Sequence, residues 1–186
     1  ILNTAESKLN TLRRLVQEGG DLHHALFYCA HGQIDDVIRI LGVELGILVH
    51  RFTARENSQE RQNLLDMFSS GDLQALVAMK CLDEGVDVPA TRTAYILASS
   101  GNPREFIQRR GRILRKSTGK SKATLFDLLT VPPVISSRDD PGFKIERGMV
   151  AKELRRFREF AGLAQNKHHA LDRIWPLASE YDLMDS

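Results

Sequence analysis

Apolar positions along the chain alternate between two spacings. In residues 1–20, Leu9, Leu12, Leu15 and Val16 recur three or four apart, which predicts a helix closed by Gly19-Gly20. Short apolar runs at 25–30, 47–52, 73–79, 93–98 and 123–129 read instead as buried strands. Between them the helical spacing returns. Ile34, Val37, Ile38 and Leu41 predict a helix after a His31-Gly32 loop, and Ser58 is expected to cap another whose Leu64, Leu65 and Phe68 face inward before Gly71-Asp72 stops it. A Ser-Ser-Gly-Asn-Pro loop follows the fourth run, and Pro103 suits the first turn of one more helix. Strands alternating with helices imply an α/β fold. Its parallel sheet would be covered by helices on both faces, with ligands beyond the carboxyl ends of the strands.

Residues 131–142 carry three prolines, two serines and two aspartates, the composition of a linker. The expected organisation is a sheet domain over 1–130 that includes the helix of 1–20, a linker over 131–142 and a helical extension over 143–186. In the extension, Ile145, Met149, Leu154, Phe157 and Phe160 are the expected apolar contacts, with Arg155, Arg156 and Arg158 more exposed and a second helical piece reaching Tyr181. It reads either as an appendage docked on the sheet domain or as a basic arm touching DNA.

The net charge of +2 hides an asymmetry. Residues 104–122 hold eight Lys or Arg against the single Glu105, while the remainder has 18 basic and 23 acidic residues. A positive field focused on one segment favours a polyanion, either nucleotide or nucleic acid. No apolar run approaches the length needed to cross a bilayer and no leader pattern opens the chain, so a cytoplasmic setting without a membrane partner is expected. Cys29 and Cys81 lie in apolar stretches without metal-ligand spacing and read as reduced core residues. His23, His24, His31 and His50 show no ligand pattern either, so no metal site is expected within the chain. A start at Ile1 rather than Met suggests a piece of a longer polypeptide.

The segment 108–115 reads Gln-Arg-Arg-Gly-Arg-Ile-Leu-Arg. On a helix Gln108, Arg112 and Arg115 fall at i, i+4 and i+7, so two guanidiniums and an amide share one face. Arg suits phosphate because its planar, permanently charged fork bonds two oxygens at once. Gly111 costs about 1 kcal/mol against Ala inside a helix, which suggests a close approach to the backbone. A solvated basic face is the plain alternative. Gly119-Lys120-Ser121 imitates the end of a phosphate-binding loop, but Leu114 occupies its first glycine position and no acidic metal box accompanies it.

With these residues in place, 22–130 resembles the second RecA-like lobe, the C-terminal domain, of a superfamily-2 helicase or translocase. Gln108–Arg115 matches motif VI, 78–89 matches motif V, Phe27-Tyr28-Cys29-Ala30 with His31-Gly32 matches motif IV, and Thr53-Ala54 stands at motif IVa. The resemblance implies that Arg112 and Arg115 are arginine fingers on the γ-phosphate of ATP, with Gln108 ordering the interface. It also implies that Gly85 and Asp87 meet the nucleotide, and that ATP and Mg2+ are held mainly by an absent N-terminal RecA-like lobe of the same polypeptide. His31, Gly32, Thr53, Lys80, Ser99 and Ser100 would meet the nucleic-acid backbone. Met79 stands where the family usually offers a hydroxyl, and Lys80 would supply a cation in its place. Gln108 replaces the His of DEAD-box RNA helicases, and with the approach at 102–107 this is more similar to DNA-acting relatives in repair and in restriction or phage defence. DNA is therefore the expected partner. An RNA helicase lobe and a non-catalytic nucleic-acid or protein docking module are the alternatives.

Overall fold

The computed structural model describes residues 6–30, 32–79, 88, 90–97, 122–132 and 137–184, which form two units, Ile1–Leu128 and Leu129–Ser186. In the first unit, five four-residue strands, β1 (Ala25–Tyr28), β2 (Val49–Phe52), β3 (Ala75–Ala78), β4 (Thr93–Ile96) and β5 (Thr124–Asp127), make one sheet in the order β2-β3-β1-β4-β5. All four pairings are parallel. The inner strands β1 and β3 are buried throughout, as their uninterrupted apolar sequences require. The outer strands β2 and β5 alone leave residues partly exposed along most of their length.

Because side chains alternate across a strand, the register assigns each residue to a face. Phe27, Val77 and Tyr95 lie on one face with Ala25, Ala75 and Val49, and there they meet Leu12 and Val16 of α1 (Glu6–Glu18) and Val37 and Leu41 of α2 (Ile34–Ile38) and its continuation. Three aromatic rings run in a row across the strands at one level. Phe27 stacks on Tyr95 at 4.6 Å, and Tyr95 on Phe126 at 4.9 Å. Leu26, Leu76, Ala94, Tyr28, Ala78, Ile96 and Phe52 occupy the opposite face, all buried.

The helix α3 (Ser58–Ser70) covers that second face. The chain steps from β1 past β3 to the edge at β2, then back from β2 to β3, and right-handed crossovers in opposite directions place α2 and α3 on opposite sides. His24, just before β1, sets its ring edge-on to Phe68 of α3 with centroids 5.5 Å apart. The expected α/β architecture, with helices on both faces, is thus present.

Local details differ from the sequence reading in instructive ways. The cap of α3 is Asn57 rather than Ser58: its side chain accepts from the Glu60 amide at 3.0 Å while the Glu60 carboxylate accepts from the Asn57 amide at 2.9 Å. This reciprocal pair satisfies two amides that a lone serine could not. Gly71, at φ +93°, ends the helix. After Ile38, α2 widens into a π-helical turn, Arg39–Glu44, in which the Leu45 amide reaches back to the Ile40 carbonyl. Glu44 accepts from Arg13 of α1 at 2.8 Å and pairs with Arg39 at 2.5 Å. These contacts tie the turn to α1.

The second unit is a helical pair, α4 (Pro141–Ala161) and α5 (Lys167–Glu180). Asp140 caps α4 by accepting from the Gly142 amide, and Pro141 supplies the first turn. Phe143, Val150 and Leu154 pack with Ile174, Ala178, Tyr181 and Leu183, and Phe143 stacks on Tyr181 at 5.6 Å. Two residues lie opposite to expectation. Arg156 is buried, its guanidinium 3.0 Å from the Glu153 carboxylate, whose second oxygen accepts from the Thr130 amide at 3.2 Å. Ile145, expected as an apolar contact, is 68% exposed. Pairing, rather than hydropathy, decided the first of these. Beyond α5 the chain is fastened by two α4 arginines: Arg147 donates to the carbonyls of Tyr181 and Asp182, and Arg158 to that of Leu183. These carbonyls belong to the three residues that follow the helix end.

Two outcomes follow for stability. Asn57→Ala should lower the unfolding free energy by about 1 kcal/mol, read as a shifted denaturant midpoint at unchanged slope. The hydrogen bond from Arg13, aided by the charge of Arg39, holds the Glu44 carboxyl below its ordinary range. A carboxylate depressed in the folded state stabilises above its unfolded pKa of about 4.3 and loses that contribution as pH falls through the folded value. Thermal midpoints of wild type and Glu44→Gln should therefore differ at neutral pH and converge in acid.

Candidate nucleotide and nucleic-acid edge of the sheet

The in-register ladder aligns the carboxyl ends of the strands, with Phe52, Ala78, Tyr28, Ile96 and Asp127 at one level. Between β1 and β4 the connections diverge, since α2 leads from β1 toward β2 while the chain leaving β4 goes to β5 on the other side. Such a switch point opens a crevice beyond the strand ends, the usual ligand position in a parallel sheet. The amides of Cys29, Leu97 and Leu128 close the ladder here, donating to Ala78, Tyr28 and Ile96 at 2.9, 2.9 and 3.0 Å.

Two of the sequence-predicted contact residues belong to the described residues, and both follow strands that end at this edge. Gly32, after β1, is exposed at φ +89°, and an added Cβ there would meet nothing within 4 Å. The glycine is therefore required by its left-handed backbone rather than by a close approach. Next to it, Gln33 turns its side-chain carbonyl onto the Ala30 amide at 3.2 Å, while its buried Nε2 has no hydrogen-bond partner among the described residues. Thr53, after β2, is buried and already engaged. Its amide and hydroxyl both donate to one Glu56 oxygen at 2.7 and 2.9 Å, its hydroxyl accepts from the Arg55 amide at 3.2 Å, and its carbonyl accepts from Arg61.

This turn leaves Ala54 and Arg55 exposed. Arg55 was not among the residues singled out from sequence. Its signal was the Thr53-Ala54-Arg55-Glu56-Asn57 stretch, in which a β-hydroxyl and a carboxylate three apart can close a turn around an intervening cation. His31, Lys80, Gly85, Asp87, Ser99, Ser100, Gln108, Arg112 and Arg115 lie outside the described residues.

Cys29, the first residue past β1, is buried, and loss of solvation pushes its thiol well above the ordinary range. It is a packed core residue. Among the described residues, no group of three or more His, Cys, Asp or Glu side chains is placed to hold a metal ion, and no helix is long and apolar enough to cross a membrane.

Residues 7–117 match the helicase conserved C-terminal domain, so the chain belongs to that family and is a C-terminal, RecA-like lobe of the superfamily-2 helicase type. The matched span runs from α1 through the Gln108–Arg115 segment. Over 126 residues, 68% of this chain, it is 31% identical to the DNA 3'-5' translocase XPB2 of Sulfurisphaera tokodaii; over 130 residues, 69%, it is 27% identical to the DNA 3'-5' helicase XPB of Mycobacterium tuberculosis. The chain spans 27% and 23% of those two proteins. Its fold is similar to the C-terminal domain of the DEAD-box protein Dbp5, with a TM-score of 0.61, 16% identity, and coverage of 94% of this chain and 93% of that one.

Two outcomes check this description. Thr53→Val removes the hydroxyl donor from Glu56 and should cost about 1 to 3 kcal/mol of stability in denaturant unfolding. A thiol-alkylating reagent should leave Cys29 unlabelled in the native chain and modify it after unfolding, as read by peptide mass mapping.

Proposed function

We propose that this chain is the second motor lobe of an ATP-dependent DNA helicase or translocase, acting with an N-terminal RecA-like lobe of the same polypeptide. The observation that carries this reading is the family match over residues 7–117, which takes in four of the five strands and the whole Gln108–Arg115 segment. DNA is favoured over RNA by the two DNA-acting XPB proteins among its relatives. In this reading residues 1–130 are the motor lobe, 131–142 the linker and 143–186 a helical extension.

ATP would lie between the lobes, where it supplies the phosphoryl chemistry with Mg2+ held mainly by the other lobe. On this chain Arg112 and Arg115 stabilise negative charge on the terminal phosphate, Gln108 orders the interface, and Gly85 and Asp87 receive the sugar side of the nucleotide. A fixed guanidinium is effective there because it requires no reorganisation as charge develops. The nucleic-acid backbone would cross the strand-end loops at His31, Gly32, Lys80, Ser99 and Ser100. Thr53 contributes by building the turn that displays Arg55, which adds a further cation to that path. Contacts of this kind are with phosphate and largely independent of sequence.

Arg115→Ala, in this chain joined to its first lobe, should lower DNA-stimulated ATP hydrolysis by about 10³-fold or more while leaving DNA affinity nearly unchanged. Normal turnover in the variant would refute the finger role. Affinity for DNA should fall steeply between low and moderate salt, and stimulation by RNA but not by duplex DNA would reassign the substrate.

A further inference from the structure

The buried column of α1 is Lys8, Leu12 and Val16, at i, i+4 and i+8. A lysine thus stands where the helix otherwise places apolar side chains. Lys8 is 2% exposed, and its ammonium donates to the carbonyl of Leu97 at 2.7 Å. Lysine is almost never buried unless paired, because its charge loses water that the protein must replace. An apolar residue here would pack on the sheet without that cost.

This acceptor lies at the end of a strand. Leu97 is the first residue past β4; its amide closes the ladder on Tyr28 of β1 and its carbonyl accepts from Lys8, while the Ile96 carbonyl before it is taken by the Leu128 amide. The Lys8 ammonium therefore fastens the end of β4 from α1, at the switch point and 89 residues away in sequence. Leu97 itself is fully buried, so this end of the strand is held on both its amide and its carbonyl. From there the chain runs toward Gln108–Arg115.

We infer that Lys8 is a positioning residue of the motor lobe: through the Leu97 carbonyl it fixes the point from which the chain departs β4 toward the arginine segment. This rests on the motor reading above. Arginine fingers act over short distances, and misplacement of a catalytic group by about 1 Å costs on the order of 10²-fold in rate. A cation at the strand end is a rigid fastening because a charge-assisted hydrogen bond is about twice as strong as a neutral one.

The test uses Lys8→Met, which keeps the buried stem without the charge, and Lys8→Arg, which keeps the charge and a donor. In this chain alone, amide hydrogen exchange should speed by at least tenfold at Leu97 and Leu128 in Lys8→Met, remain at wild-type rates at Phe27 and Val77, and be largely restored in Lys8→Arg. Uniform acceleration across the sheet, or none at Leu97, would overturn the inference by showing general packing or no role. Joined to the first lobe, Lys8→Met should lower kcat about 10²-fold with KM for ATP changed less than threefold; unchanged kcat would also overturn it. If the wild-type two-lobe protein hydrolyses no ATP, the motor reading fails, and the exchange result still decides whether Lys8 fastens β4.

Discussion

A parallel ladder must end somewhere, and at its end the backbone groups lose their strand partners. In this sheet all five strands finish at one level, so the unmet requirement is concentrated along a single edge. Several contacts of the first unit answer that constraint. Leu97 and Leu128 close the ladder with their amides, Lys8 takes a carbonyl, Gln33 takes the Ala30 amide, and Glu56 takes the amide and hydroxyl of Thr53.

The faces of the sheet are apolar up to that edge. Behind it the sheet is closed by side chains in register, including the stacked row of Phe27, Tyr95 and Phe126, and by α1 and α2 on that side. A rigid platform of this kind lets short loops hold their geometry with few contacts of their own. The turn after β2 illustrates the point: one carboxylate, Glu56, organises it and leaves Arg55 outward.

Much of this was legible in the sequence because apolar spacing reports burial directly. The strands, their alternation with helices, the stop at Gly71 and the inward faces of α1 and α3 follow from it. The rest depends on polar groups whose fate is set by a particular partner, three residues away or far along the chain. Arg156 reads as a more exposed charge until Glu153 pairs with it, and nothing in the apolar spacing singles out Lys8 before Leu97 is brought to it. Thr53 matched the family pattern, yet its hydroxyl turned out to be spent on Glu56. Asn57 displaced Ser58 as a cap because a reciprocal bond with Glu60 satisfies more than one amide. The widening of α2 left no trace in apolar spacing, since Ile40 and Leu41 remain buried through it.

The outer strand β2 shows one further result of the same sequence. It is only four residues long, its His50 projects to solvent, and Arg51 is drawn to Asp35 of α2 at 3.2 Å. An open margin bearing such charge is a poor template for a second molecule to zip onto. Charge along this outer strand thus opposes edge-to-edge pairing of a sheet whose interior strands are apolar throughout.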